Sequence, residues 1–171
     1  MKTRLLLPLL ILTVVAACSP SRDKAVAQIK EQEAALLDDT LEADTLKAQR
    51  LMDAYANFAS RFPDDSLSPH YLFRASDLAY SIANPQQSLH FLNQIISNYP
   101  EFPELSTCYF MRANAYEECE MNDSATAAYT EFLQLFPNDP FAEAAQFSLQ
   151  NIGIPLNVVL ERLIEQTATI E

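Results

Sequence analysis

The chain has 171 residues, with 11 basic and 23 acidic side chains and a formal net charge of −12. A surface of this sign repels phosphate backbones and anionic lipid headgroups, so nucleic acid is not an expected partner. The single glycine, Gly153, supplies too few tight turns for hairpins, and no stretch alternates apolar with polar residues. The composition therefore predicts an all-α protein.

The first 17 residues have the pattern of a signal peptide. Lys2 and Arg4 precede an apolar stretch, residues 5–17, which is too short to span a membrane. The stretch closes on Val-Ala-Ala-Cys at residues 15–18, which resembles a bacterial lipobox. We expect residues 1–17 to be removed and Cys18 to become the lipidated first residue. An ordinary secretory signal, cleaved just before an incidental Cys18, is the alternative.

The net charge that remains after removal of the leader indicates how the protein would be attached to a membrane. It would leave nine basic residues against 23 acidic ones, a formal charge of −14. Such a surface is not attracted to anionic lipid, so the acyl chains on Cys18 would have to provide the attachment. Residues 18–42 then form a tether and a first helix, and residues 43–167 form the folded domain.

Apolar periodicity predicts eight helices after the leader. They are expected near residues 22–38, 43–62, 69–82, 85–98, 104–120, 123–136, 140–151 and 155–167. Ser68, Asn84 and Asp139 each precede a proline, which is the pattern of a helix cap followed by proline at the first helical position. Asn122 or Asp123 is the expected cap of the sixth helix.

The two remaining cysteines, Cys108 and Cys119, fall within one predicted helix. Eleven residues of helix separate them by about 16 Å, whereas a disulfide needs Cα atoms within roughly 7 Å. They cannot pair with each other inside that helix, and buried free thiols are expected.

Three prolines, Pro63, Pro100 and Pro137, recur every 37 residues, and an aromatic residue precedes each of them. Apolar side chains lie five and eight positions before each proline, which is one face of a helix. An amphipathic helix that ends in the same way three times at one period indicates a helical repeat array. Such arrays serve as binding surfaces, which favours a binding function over catalysis.

The repeats resemble the tetratricopeptide (TPR) unit of two helices closed by a proline. The best match runs from Ser106 to Pro137, and the match from Pro69 to Pro100 is weaker because Tyr80 lies one residue past the expected aromatic position. The matching residues are Tyr109, Ala113, Tyr116, Ala125 and Tyr129 in the first, and Leu72, Ser76, Ala79, Ser88 and Leu92 in the second. Before Pro63 only the second helix matches, and residues 140–167 resemble a degenerate closing pair. The resemblance implies a TPR-like α-solenoid of antiparallel helix pairs.

Together with the lipobox, residues 50–167 are similar to the small TPR lipoproteins of the bacterial envelope. This group includes the barrel-assembly TPR lipoprotein and the coordinator protein associated with the Tol-Pal system. The resemblance implies a non-enzymatic adaptor, anchored by lipid in the outer membrane and facing the periplasm. Its partner would be an envelope protein or peptide, in outer-membrane assembly or cell-envelope maintenance. A surface-exposed lipoprotein that captures an extracellular ligand is the alternative, and the oligomeric state is left open.

In TPR proteins the first helix of each repeat lines a concave groove. Carried onto this chain, the groove-binding residues would be His70, Phe73, Asp77, Tyr80, Phe110, Asn114 and Glu117. Aromatic rings beside polar and acidic groups suit an extended or helical peptide. The alternative is that Phe73 and Phe110 pack between repeats and no ligand lies in the groove.

Other reactive side chains give no catalytic or metal-binding pattern. His70 and His90 are the only histidines and lack metal-ligand spacing, and the acidic residues 117, 118 and 120 are typical of a solvated helix end. One glycine cannot build a phosphate loop or a nucleophile elbow. We therefore expect no enzyme activity, metal or cofactor.

The lipobox interpretation is tested at Cys18. Cys18→Ala should abolish acylation and leave the protein either uncleaved or soluble. Metabolic labelling with a palmitate analogue measures this directly, with the wild-type protein as the positive control. An unlabelled wild-type protein would exclude lipidation.

Overall fold

The computed structural model describes residues 21–37 and 44–168, and these contain eight helices and no strand. This confirms the predicted all-α class. The predicted signal peptide, Cys18 and residues 38–43 of the connection after the first helix lie outside the described residues. The helices are α1 (Arg22–Leu37), α2 (Asp44–Arg61), α3 (Leu67–Ser81), α4 (Pro85–Asn98), α5 (Leu105–Glu118), α6 (Asn122–Leu135), α7 (Ala142–Asn151) and α8 (Leu156–Ala168).

The predicted bounds agree with these helices to within two residues, but only one of the predicted caps is formed as expected. The Asn84 side chain accepts a hydrogen bond from the Gln87 N–H at 3.2 Å, directly before Pro85. The Ser68 prediction was wrong because α3 begins at Leu67. Ser68 is already inside the first turn, and its hydroxyl donates to the Phe62 carbonyl at 2.6 Å.

The other two cap predictions also need correction. The Asp139 carboxylate accepts from the Phe141 N–H at 2.9 Å, but this closes a turn ahead of α7, which begins at Ala142. At α6 the cap position belongs to Met121, without a side-chain hydrogen bond, because the helix already includes Asn122 and Asp123.

The 37-residue period is present in the backbone itself. At each proline, the carbonyl of the preceding aromatic residue accepts from the N–H three residues further on. These bonds join Asp65 to Phe62 at 3.0 Å, Phe102 to Tyr99 at 3.0 Å and Asp139 to Phe136 at 3.1 Å. The turn that follows is also repeated. Its hydrogen bonds run from the Ser68 N–H to the Asp65 carbonyl at 2.9 Å, from Leu105 to Phe102 at 3.0 Å and from Ala142 to Asp139 at 2.9 Å. The three connections therefore have the same backbone hydrogen-bond pattern.

The turns within the α3–α4 and α5–α6 pairs also match each other. Ala83 and Glu120, 37 residues apart, both have φ of +56°. The residue after each donates to a carbonyl five positions back: Asn84 to Ala79 at 2.9 Å and Met121 to Tyr116 at 3.0 Å. This is the hydrogen bond of a helix end with a left-handed residue, a position that favours glycine.

Small side chains lie at the centres of the helix contacts. Ser76 and Ser88 in one repeat, and Ala113 and Ala125 at the matching positions of the next, are completely buried. Each helix from α1 to α6 packs on the next helix in the chain. Through α3 and α4, the buried cluster that starts at α1 and α2 extends to the first part of α5. A second cluster joins α5, α6 and α7 around Tyr129 and Phe132.

Helix α8 is packed less completely than the others. Val159 is the only one of its described side chains that is buried. Leu156 is 71% exposed and Ile164 is 67% exposed. The predicted closing pair is thus present as two helices, but its last member keeps much of its apolar surface in solvent.

The two free cysteines differ in environment. Cys108 is completely buried in α5, whereas Cys119 caps the end of that helix and is partly accessible. Burial raises the pKa of the Cys108 thiol to about 12. Both are unpaired, as the helical separation predicted, but the prediction that both thiols are buried is wrong for Cys119.

The left-handed turn gives a stability prediction. Ala83→Gly should raise the free energy of unfolding by about 0.5–1 kcal/mol, because glycine has no Cβ to clash at positive φ. The matched control is Ala127→Gly at an exposed site inside α6, which should lower stability by about 1 kcal/mol. Urea unfolding measures both, and a loss of stability in both variants would contradict the turn geometry.

Candidate functional site

The predicted groove residues lie on two helices that are joined at the surface by an exposed hydrogen bond. His70, Phe73, Asp77 and Tyr80 come from α3, and Phe110, Asn114 and Glu117 come from α5. The Tyr80 hydroxyl donates to the Glu118 carboxylate at 3.3 Å and so bridges the two helices. We call these seven residues together with Glu118 the α3–α5 face.

The aromatic members of this face differ in accessibility. Phe73 packs on Phe102 with ring centroids 5.8 Å apart, and Phe110 stacks on Phe141 at 4.7 Å with the rings nearly parallel. Both rings are therefore engaged between repeats. Tyr80, in contrast, is 41% exposed, so its ring offers a surface to solvent.

His70 is also exposed, although its ring has a packing partner. It meets the edge of Phe102 at 5.1 Å. Phe102 is buried and replaces the aspartate found at the matching position of the other two connections, Asp65 and Asp139. A ring at this position covers the start of α3, which a carboxylate does not do.

The two polar members on α5, Asn114 and Glu117, are hydrogen-bonded to the Tyr129 hydroxyl of α6. Its hydroxyl lies 2.5 Å from Asn114 Oδ1 and 2.8 Å from Glu117 Oε2. Burial of the phenol, followed by the hydrogen bond to the Glu117 carboxylate, raises the pKa of Tyr129. The Tyr129 hydroxyl stays protonated, and its single proton is shared between these two half-buried acceptors.

A second concave surface, which the sequence did not reveal, lies between α1, α2 and α3. This α1–α3 groove has a volume of about 500 Å³. Its lining residues are Glu33, Leu36, Leu51, Tyr55, Arg74, Asp77, Leu78 and Ser81. Asp77 belongs to both surfaces, so the two adjoin along α3.

One carboxylate organises the charged end of the α1–α3 groove. Glu33 Oε1 accepts from the Tyr55 hydroxyl at 2.7 Å and from Arg74 Nη1 at 2.6 Å. Burial raises the pKa of Tyr55, and the hydrogen bond to Glu33 raises it further. The Arg74 charge is therefore already balanced within the protein.

Asp77 lacks the partner that its counterpart has. Residues 55, 92 and 129 are equivalent at the 37-residue period, and the middle one is Leu92, which has no hydroxyl. Asn114, the equivalent of Asp77, accepts from Tyr129, whereas Asp77 has no hydrogen bond or ion pair within the described ranges. Desolvation by its neighbours raises the pKa of the Asp77 carboxyl.

Comparison with known proteins gives no family for this chain. No family model matches it, and a search of the curated proteins found no match. Among residues 21–37 and 44–168, no helix combines the length and apolar character needed to cross a membrane. The same residues contain no group of three or more His, Cys, Asp or Glu side chains that could hold a metal ion.

The unpartnered carboxylate predicts a pH-dependent stability difference. Because the pKa of Asp77 is higher in the folded than in the unfolded chain, ionisation opposes folding above that pKa. Because the Asp77 side chain is exposed, solvent reduces the effect, so Asp77→Asn should raise Tm at pH 7 by only about 1 °C. The gain should vanish below about pH 4, where the carboxyl is protonated in both states. Calorimetry across this range measures it. Asp64→Asn, which removes one exposed loop carboxylate, is the control for the change in net charge.

Proposed function

We propose that this protein is a lipid-anchored, TPR-like adaptor of the bacterial envelope that binds a protein or peptide partner through the α3–α5 face. The repeated backbone hydrogen bonds at residues 62, 99 and 136 are the observation that carries the proposal. A chain that repeats both its connections and its small buried positions has the regularity of a stacked array.

Burial at the TPR-like positions supports this arrangement. In the weaker repeat all five matched positions are at most 1% exposed: Leu72, Ser76, Ala79, Ser88 and Leu92. In the stronger repeat Ala113, Ala125 and Tyr129 are completely buried, and Tyr109 and Tyr116 are partly buried. The positions that the resemblance selected are therefore those through which successive helices pack.

The chemistry of the α3–α5 face indicates the kind of partner. The face carries three carboxylates, from Asp77, Glu117 and Glu118, and neither lysine nor arginine. Opposite charge speeds association and selects among partners. Together with the exposed Tyr80 ring, this favours a neutral or basic segment with an apolar or aromatic side chain.

The cellular setting of the proposal comes from the sequence. The lipobox at residues 15–18 supports export and acylation at Cys18, and the resemblance to envelope TPR lipoproteins supports the outer membrane, facing the periplasm. The adaptor would act in outer-membrane assembly or envelope maintenance by holding a partner near the membrane. No side chain is assigned a catalytic role.

The bridge between α3 and α5 provides the test. Tyr80→Ala with Glu118→Ala removes an exposed contact and leaves the packed rings of Phe73 and Phe110 intact. We expect crosslinking pull-downs from bacterial membranes to lose the partner at least about ten-fold. Calorimetry should show only a small change in Tm, because both residues are exposed.

The matched control removes another exposed hydrogen-bonded pair, Gln49 and Asp53 within α2. This double alanine variant should retain the partner. Equal recovery with the Tyr80 and Glu118 variant would show that the α3–α5 face is not the binding site.

A further inference from the structure

The α1–α3 groove combines apolar walls with a single uncompensated charge. Leu36, Leu51 and Leu78 supply aliphatic surface, and Tyr55 adds the side of its ring. At about 500 Å³ the groove is large enough for a long side chain and its neighbour.

The two acidic side chains of this groove are not equivalent. Glu33 is satisfied by Arg74 and by the Tyr55 hydroxyl. Asp77 receives no donor, because Leu92 stands where the neighbouring repeats have tyrosine. Among the lining residues of the groove, Asp77 is therefore the one carboxylate without a protein partner, and the one cation, Arg74, is already paired.

We propose that the α1–α3 groove binds a partner segment in which an arginine or lysine adjoins an apolar side chain, with the cation on Asp77 and the apolar group against Leu51 and Leu78. Both cationic side chains have long aliphatic stems that pack on apolar walls while the charged end reaches a carboxylate. The inference rests on the proposed binding function but concerns the α1–α3 groove, which adjoins the α3–α5 face and shares only Asp77 with it.

Charge complementarity selects this occupant. An acidic segment would find no free counter-ion, since Glu33 already balances Arg74, and would approach a chain of net charge −12. A purely apolar segment would cover Asp77 without a donor and would pay the cost of desolvating it. A cation beside an apolar group satisfies both parts of the groove.

The experiment compares two matched pools of short fluorescein-labelled peptides. In one pool a central arginine is flanked by leucines, and in the other citrulline, which has the same shape without the charge, replaces the arginine. Both are titrated, with anisotropy as the readout, against the detergent-solubilised protein purified from membranes of expressing cells. We expect the arginine pool to bind about ten-fold more tightly.

Two variants assign that preference to the groove. Asp77→Asn should remove the preference for arginine and leave weak binding of both pools. Ser81→Trp, at an exposed lining residue, should weaken both pools by obstructing the groove. Asp64→Asn removes one carboxylate elsewhere and should leave the preference intact.

Several results would overturn the proposal. These are equal binding of the two pools by wild-type protein, no binding of either pool, or an equal loss of preference in Asp64→Asn. A second copy of the chain is a different occupant, since α8 exposes Leu160 close to Arg162. If sedimentation shows self-association that Asp77→Asn abolishes, a second copy and not a foreign segment fills the groove. Loss of pull-down in the Tyr80 and Glu118 variant tests the adaptor role separately.

Discussion

Helices can approach one another closely only where the side chains between them are small, and this constraint organises the molecule. Ser76, Ser88, Ala113 and Ala125 are completely buried at matching positions of two repeats. Larger residues in the same rows would force the helix axes apart and open voids around the aromatic rings. The aromatic rings and the turns recur with the same spacing of 37 residues as these small residues.

The packing of the core also determines which polar side chains of the first helices are hydrogen-bonded to a tyrosine. Tyr55 and Tyr129 fill the interior with their rings, while their hydroxyls reach polar groups on the neighbouring first helices. Each tyrosine thus couples the core to a surface acceptor. Where the series is interrupted by Leu92, the core remains well packed, but the exposed Asp77 carboxylate has no protein donor among the described residues. One difference between two repeats therefore leaves a carboxylate on α3 without the hydroxyl donor that its counterpart Asn114 has.

The sequence was most informative where the period applies. Proline and the preceding aromatic residue mark the end of a helix through local sterics, so the helix bounds could be predicted to within two residues. The Ser68 prediction was wrong because a serine before proline is the pattern of a cap, whereas the turn from Phe62 starts α3 two residues earlier than predicted, at Leu67. Local sequence patterns predict that a helix begins near a proline, but the hydrogen bonds of the preceding turn determine its first residue.

The candidate surfaces were predicted less completely. Residues on α3 and α5 follow from helical spacing, but which aromatic rings stay accessible depends on partners such as Phe102 and Phe141, from other segments. The α1–α3 groove was missed because α1 does not follow the period. Glu33 precedes its tyrosine by 22 residues, whereas Glu117 precedes the equivalent tyrosine by 12. No spacing rule could have aligned α1 with α3.

The buried thiol of α5 has a consequence for the chemistry of the folded chain. Alkylating agents and oxidants attack the thiolate, and a pKa of about 12 leaves roughly one Cys108 in 100,000 ionised at neutral pH. Complete burial adds a steric barrier to this electronic one. Cys108 is therefore chemically silent while α5 is packed, and its rate of modification reports how often that helix opens. The modification rate of Cys108 therefore measures local unfolding of α5, the helix that contributes to both buried clusters.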